Sequence, residues 1–166
     1  MKNQEKIRMI KTISLAAFGL LFVGCLTTSC SKKKQGCTNP LALNYDKDAE
    51  DESGSCVLAG KPGNVNLMAF PQHHGVPIVS SKAYHDSIYI KYNSLEFPGD
   101  NPTLYDLAVQ GENQKDFVRI TGLSQGNYYI FMTGFDPSIG ERVTGGIPYT
   151  MVQPKGELDL VVPVTE

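Results

Sequence analysis

The three histidines are the side chains best suited to bind a transition metal, and they lie within thirteen residues of one another, at positions 73, 74 and 85. His73 and His74 are adjacent in the segment PQHHGVPI, and His85 immediately precedes Asp86. Imidazole nitrogens bind zinc, copper, iron and nickel, so these four residues are the candidate transition-metal ligands. If residues 72–75 are extended, however, His73 and His74 project to opposite sides of the backbone. We therefore expect exposed or capping histidines, no tight metal site, and no cofactor.

A second group of candidate ligands is acidic and lies in residues 46–52. Asp46, Asp48 and Glu50 alternate along the chain in a way that resembles an oxygen-rich calcium loop. An EF-hand loop needs a glycine at its sixth position and a bidentate glutamate at its twelfth, and this segment lacks that spacing. The acids are therefore expected to solvate the segment rather than to hold calcium.

The loop LEFPGDNPTLY, residues 95–105, contains two candidate ligand-binding aromatics, Phe97 and Tyr105. An exposed aromatic ring at a turn can stack on a sugar or a peptide. A carbohydrate-binding module would need Phe97, Tyr105 or Tyr149 exposed in a flat row. The alternative, which we favour, is that these rings fold back onto the core.

Motifs for nucleophilic catalysis are absent from the sequence. It contains no Gly-x-Ser-x-Gly elbow and no glycine-rich phosphate loop. Acids such as Asp100, Asp106, Asp116, Asp136 and Glu141 fall in or near predicted turns, which is the usual composition of a β-sandwich. We therefore expect a protein that is not an enzyme.

The N-terminal segment has the pattern of an export signal. Residues 1–11 carry four basic side chains and one acidic one, and residues 13–23 are almost wholly apolar. That order of charge and hydrophobicity is typical of a signal peptide. The apolar run is too short for a permanent span, which takes ~20 residues.

Small residues precede two cysteines in the run GCLTTSC, residues 24–30. The run resembles a bacterial lipobox, which implies acylation of a cysteine, for example with palmitate, and cleavage just before it. Lipidation at Cys30 removes Cys25 with the signal peptide and leaves Cys37 and Cys56 as one pair. Lipidation at Cys25 would leave Cys30 as an odd thiol in an oxidising compartment. We therefore favour Cys30.

Charge argues against a nucleic-acid partner. The chain has 15 basic and 17 acidic residues, of which residues 1–29 hold 4 and 1, so the remainder carries 11 − 16 = −5. An acidic protein has no general attraction for phosphate backbones. The basic run at residues 32–34 is expected to meet anionic lipid head groups beside the anchor.

Residues 36–56, GCTNPLALNYDKDAEDESGSC, resemble a short module of the form GCTDPxAxNYxxxAxxDDGSC found in bacterial envelope and secreted proteins. The matching residues are Gly36, Cys37, Thr38, Pro40, Ala42, Asn44, Tyr45, Ala49, Gly54, Ser55 and Cys56. Asn39 and Glu52-Ser53 depart from the pattern. A loop this small and polar cannot form a hydrophobic core of its own, so we expect a disulfide between Cys37 and Cys56. By the chain-entropy model, this disulfide stabilises the loop by ~3 kcal/mol.

The pattern of the last 110 residues predicts one all-β domain. Short β-rich runs separated by Gly, Pro, Asn and Asp predict seven strands, at 64–70, 87–92, 105–109, 117–121, 127–135, 142–151 and 157–164. Clean alternation predicts that Ile88, Ile90 and Tyr92 share one buried face, as do Tyr128, Ile130 and Met132. This spacing of strands is typical of a β-sandwich.

The segment FVRITGLSQGNYYIFM, residues 117–132, resembles the strand-GLxxGxY-strand signature of transthyretin-like or carboxypeptidase-regulatory-like sandwiches. The resemblance implies that Leu123 closes one end of the core. It also implies that Gly126 permits the turn before an inward-facing Tyr128. It concerns fold rather than activity.

These features predict four parts: a lipoprotein signal peptide (1–29), a lipid-anchored basic tether (30–35), a disulfide-stapled acidic module (36–56) and a transthyretin-like or immunoglobulin-like β-sandwich (57–166). The predicted function is non-enzymatic binding or scaffolding at the bacterial outer membrane or cell surface, with the membrane face left open. An envelope protein or polysaccharide is the expected partner. The alternatives are a metal-handling or small metal-dependent hydrolytic protein using the histidines, and a carbohydrate-binding module.

Overall fold

The computed structural model describes residues 32–166, and within that range the regular structure is almost entirely β. The elements are β1 (Gln35–Gly36), β2 (Asp51–Glu52), β3 (Asn64–His73), β4 (Val76–Pro77), β5 (Ser87–Tyr92), a 3-10 helix (Pro102–Leu104), β6 (Leu107–Gln110), β7 (Val118–Leu123), β8 (Gly126–Asp136), β9 (Glu141–Met151) and β10 (Lys155–Val164). All seven predicted strands are present. The signal peptide, Cys25 and Cys30 lie outside the described residues.

Two sheets form the sandwich. In the first, β3 is central: β10 pairs with it in parallel along its whole length, and β7 and β4 pair with it antiparallel on its other edge. The second sheet is antiparallel, in the order β6-β5-β8-β9. The predicted all-β sandwich is confirmed.

The core lies between the two sheets and follows the two-residue period of the strands. Val65, Leu67 and Ala69 of β3 face inward and are fully buried, and so are Ile88 and Ile90 of β5. The predicted inward face of β8 is fully buried as well, at Tyr128, Ile130 and Met132. Truncating any one of the large aliphatic side chains in this core to alanine costs ~2–5 kcal/mol, because it removes apolar contacts and leaves a cavity.

The link between β7 and β8 closes one end of the core. Leu123 and Tyr128 are both fully buried. The Tyr128 hydroxyl donates to the Ser124 carbonyl at 2.6 Å and accepts from the Gly60 amide at 3.0 Å. Gly126 has a φ of +149°, and a Cβ there would collide with the backbone of Ala59. A side chain at Gly126 would therefore push the segment before β3 away from the sandwich.

The disulfide module comes before the sandwich in the chain. Cys37 and Cys56 are bonded, with their Cα atoms 5.0 Å apart, which confirms the predicted pair. The carboxylate of Glu52 accepts from the Thr38 amide at 2.9 Å, from the Thr38 hydroxyl at 2.8 Å and from the Gly54 amide at 2.8 Å. These hydrogen bonds lower the pKa of Glu52, and they show that this departure from the module pattern ties the loop together.

The module leads into the end of the sandwich where β3 and β8 begin. The Ala59 amide donates to the Asn93 side chain at 2.7 Å, just after β5. Pro40 and Leu41 of the module line one depression together with residues 93–96 and Asn127.

In the described residues, no helix is long and apolar enough to cross a membrane.

Candidate functional site

A tight hairpin brings the two adjacent histidines together at the other end of the sandwich. His74 and Gly75 both have positive φ, +49° and +81°, and they connect β3 to β4 with His73 paired to Val76. Positive φ at both central residues is the signature of a type I′ hairpin turn. The ring centroids of His73 and His74 are 4.2 Å apart. The expectation that the two side chains diverge is therefore wrong, because the chain reverses where an extended segment was assumed.

His73 lies between two carboxylates and is only 5% exposed. Its Nδ1 is 2.7 Å from Asp136 Oδ2, and its Nε2 is 2.8 Å from Glu166 Oε2. Asp136 also accepts from the amide and the hydroxyl of Ser138, at 2.8 and 2.7 Å. The ring can donate from both nitrogens only as an imidazolium. The group is thus a buried cation held between two anions.

Three strand ends position this group. His73 is the last residue of β3 and Asp136 the last of β8. The parallel register pairs Val164 of β10 with His73, so Glu166, two residues further on, reaches the ring. The three side chains are far apart in sequence and meet only because β3 and β10 are neighbours and β8 lies across the core.

The hydrogen bonds determine the charge state of the group. Those to Asp136 and then Glu166 raise the pKa of His73. The Ser138 hydroxyl, followed by His73, lowers the pKa of Asp136 to about 2. The pKa of Glu166 is also lowered, first by its own backbone amide and then by His73. Each direction follows from a hydrogen bond that favours the charged form of its partner.

An apolar cavity of about 420 Å³ opens beside His73 and His74, between the tips of the β3–β4 and β8–β9 hairpins. Its wall consists mainly of aliphatic and proline side chains, those of Val76, Pro77, Ile78, Val79, Pro137 and Ile139. The polar residues of the wall are His73, His74, Asp136 and Ser138. Val76 is 63% exposed, Val79 53% and Ile139 46%. A concave apolar surface with a few converging polar groups is the usual form of a binding site.

His85 and Asp86 lie elsewhere. His85 Nδ1 is 3.2 Å from the Gly111 carbonyl, and the ring lines a shallow depression with Tyr84 and Arg142. Asp86 is 1% exposed, and neither carboxylate oxygen has a hydrogen-bond partner among the described residues. Burial raises the pKa of Asp86 to about 6. Of the four histidine-site candidates, only His73 and His74 are therefore brought together.

The calcium candidates are partly neutralised by a lysine. The Lys34 ammonium is 2.8 Å from a carboxylate oxygen of Asp46 and 3.9 Å from one of Asp48. Asp46 also accepts from the Asp48 amide at 3.0 Å. Among the described residues, Asp46, Asp48 and Glu50 do not form a cluster of converging donor atoms. The cation beside Asp46 and Asp48 is therefore the ammonium group of Lys34.

The aromatic candidates lie on the outer face of the second sheet. Phe97 is 50% exposed, with its ring centroid 5.7 Å from that of Phe131. Tyr105 stacks on Phe131 at 5.7 Å, and its hydroxyl donates to the Gly99 carbonyl at 3.0 Å. Burial raises the pKa of Tyr105. Tyr149 packs against the core on the inner face, so these three aromatics do not form one flat row.

A cleft of about 370 Å³ does form on this outer face, lined by Tyr89, Asp100, Pro102, Phe131, Thr133, Arg142 and Thr144. Tyr89 and Phe131 were not predicted as site residues. They could have been predicted from the pattern of β5 and β8, because these strands carry aromatic residues at outward positions where an exposed sheet face would carry polar ones.

Sequence reasoning also missed Asp136 and Glu166 as partners of His73. Extending the two-residue period of the buried positions Val65, Leu67 and Ala69 to residue 73 would have predicted an inward-facing histidine. A buried histidine requires polar partners. The identity of those partners depends on strand pairing, which no local pattern specifies.

Comparisons with known proteins add one distant similarity. No family model matches the chain, and no curated protein matches it. A solved structure to which it is similar is that of a DUF4876 family protein from Bacteroides thetaiotaomicron VPI-5482, with 16% sequence identity and a TM-score of 0.33. The match covers 61% of this chain and 24% of that protein, so it spans about a quarter of the neighbour's length. A similarity at this level identifies neither family nor function.

Proposed function

We propose that the protein is a bacterial envelope lipoprotein, anchored through Cys30, that binds a partner protein and catalyses no reaction. The export-type N-terminus, the small-residue run before Cys30 and the cysteine pair left downstream support the anchor. The buried Leu123 and Tyr128 support a sandwich of the transthyretin-like or carboxypeptidase-regulatory-like kind.

The observation that carries the binding role is the apolar cavity between the two hairpin tips. Val76, Val79 and Ile139 are aliphatic, all about half exposed or more, and all face the same opening. Exposed apolar side chains grouped around a concavity mark a site that is covered in a complex. A cavity of about 420 Å³ is large enough for one or two apolar side chains of a partner.

The disulfide module and the cavity lie at opposite ends of the sandwich. The module contacts the end where β3 and β8 begin, and the cavity lies where those strands end. The ten residues of β3 between them span ~33 Å.

The lining favours a protein partner. Aliphatic and proline side chains form most of the wall. The four polar residues form one group, because Asp136 bonds both His73 and Ser138 and the His74 ring lies beside that of His73. Sugar hydroxyls in such a cavity would lose their hydrogen bonds to water without replacement. An apolar peptide segment with one polar group beside His73 or His74 fits both parts of the surface.

Site-specific photocrosslinking in the native envelope tests this role. A photoreactive residue at Ile139 should capture a defined protein, and mass spectrometry should place the adduct on an apolar segment of it. The matched control is Val161, which is similarly exposed but lies on β10 away from the cavity. Introducing Val79→Asp should abolish capture from Ile139. Equal capture from both positions, or adducts on lipid or polysaccharide alone, would exclude the cavity as a protein-binding site.

A second candidate function is polysaccharide binding at the outer-face cleft. The half-buried Tyr89 offers a ring surface there, and Asp100, Arg142 and Thr144 offer hydrogen-bonding groups to sugar hydroxyls. Retardation in gels containing envelope polysaccharide, lost in Tyr89→Ala and retained in Val79→Asp, would favour this candidate over the cavity.

A further inference from the structure

His73, His74 and Glu166 each offer a donor atom, and the three atoms lie within 4.8 Å of one another. We infer that these residues bind one divalent transition-metal ion of the zinc type, through His73 Nε2, one imidazole nitrogen of His74 and the Glu166 carboxylate. The inference goes beyond the proposed partner binding and does not depend on it.

The spacing is close to what a metal ion requires. Nitrogen and oxygen ligands lie about 2.0–2.2 Å from zinc, which puts ligands of a tetrahedral ion ~3.4 Å apart. His74 and the Glu166 side chain are exposed, so both can move by the remaining ångström or so. Two histidines and one glutamate leave a fourth position for water or a group from a partner.

Asp136 supplies what a metal-bound histidine normally has. The ligand nitrogen would be Nε2, while Nδ1 is held by Asp136 at 2.7 Å, and Asp136 is itself held by Ser138. A carboxylate on the second ring nitrogen fixes the tautomer and orientation of a metal-bound histidine. Asp136 would therefore be a positioning residue, and it is already in place.

The charge balance also favours a divalent cation. Two carboxylates, those of Asp136 and Glu166, flank the His73 ring and supply two negative charges. A divalent ion bound by Nε2 of the neutral ring balances both of them, and any proton on Nε2 leaves to solvent. The Nε2 to Glu166 hydrogen bond is replaced by two bonds to the metal.

The turn presents the exposed ligand. Type I′ turns take asparagine or aspartate most readily at the position of His74, and here a histidine occupies it with a φ of +49°. His74→Asn therefore removes the imidazole while keeping a residue suited to the turn. The second cluster of donor residues in the described chain, Cys37, Glu52 and Cys56, is no rival, because its two sulfurs are bonded to each other.

Calorimetric titration of the whole detergent-solubilised protein with zinc chloride tests the inference. We expect one zinc per chain, with affinity weakened by about ten-fold or more in His74→Asn and in Glu166→Gln. His85→Gln is the matched control and should bind like the wild type, because His85 lies outside the group. The buried His73 is left intact, so a folding defect does not confuse the result.

Cobalt(II) absorption reports the ligand type in the same variants. A spectrum with visible cobalt bands and no thiolate charge-transfer band indicates nitrogen and oxygen ligands and supports the site. Loss of the visible bands in His74→Asn supports it further. No saturable zinc binding at about 1 mM would overturn the inference. Equal affinity in all three variants, or a thiolate band that places the ion on a cysteine, would overturn it as well.

Discussion

Replacing Asp86 with asparagine should stabilise the protein at neutral pH and not in acid. The Asp86 side chain is 1% exposed, and neither of its oxygens has a hydrogen-bond partner in the described chain. It lies against Gly134, where an added Cβ would be 2.9 Å from Oδ1 and 2.8 Å from Ile78. A carboxylate in this position loses its hydration without gaining a partner.

The magnitude follows from the pKa. Burial raises the pKa of Asp86 from 3.8 to about 6, which corresponds to ~3 kcal/mol between the two protonation states. A raised pKa means that the folded protein holds this proton more tightly than the unfolded chain. Wild-type stability therefore falls as pH rises from about 4 to about 6, and the full loss persists above that range. Asparagine has no charge to bury and escapes the loss.

Urea unfolding measures this, followed by circular dichroism or by the fluorescence of the eight tyrosines, as the chain has no tryptophan. The difference in unfolding free energy, Asp86→Asn minus wild type, should rise by up to ~3 kcal/mol between about pH 3 and pH 7.5. Subtracting the wild-type value cancels the effect of the other titrating groups, and following the difference from about pH 3 to about pH 7.5 removes the pH-independent cost of burying the amide.

The matched control is Asp159→Asn, on the exposed face of β10, which should change the free energy by less than ~0.5 kcal/mol at every pH. A difference for Asp86→Asn that stays constant with pH, or that falls as pH rises, would refute the assignment of a buried, unpaired carboxyl.

Three further outcomes are expected. Cys30→Ser should release the protein from membranes or leave it unprocessed, whereas Cys25→Ser should be tolerated; mass spectrometry that places the lipid on Cys25 would reverse this choice. Protein purified without reductant should gain mass upon alkylation only after reduction, and mutating both Cys37 and Cys56 to serine should destabilise the module by ~3 kcal/mol in thermal unfolding. Tyr128→Phe should lower the free energy of unfolding by ~1–3 kcal/mol, because it removes a buried hydroxyl that bonds two backbone groups; an unchanged midpoint in urea would contradict that role.

The strands and the disulfide could be predicted from the sequence because both depend on residues that lie close together in the chain. Side chains alternate across a strand, so the burial of Ile88, Ile90 and Ile130 follows from their spacing whatever the neighbouring strands are. The segment between Cys37 and Cys56 is too small for a core, and the pairing expected from its pattern is present. Lipidation at Cys30 lies outside the described residues and stays a prediction.

The site could not be read in the same way, because it depends on contacts between distant residues. His73 meets Asp136 and Glu166 across 63 and 93 positions of sequence, through the pairing of β3 with β10 and the packing of β8 across the core. One local feature also decided the outcome: positive φ at His74 and Gly75 reverses the chain and turns two diverging side chains into neighbours. The sequence alone thus determined which residues face inward. Only the tertiary structure decided which of them meet, because strand order and turn conformation are settled by the packing of the whole sandwich.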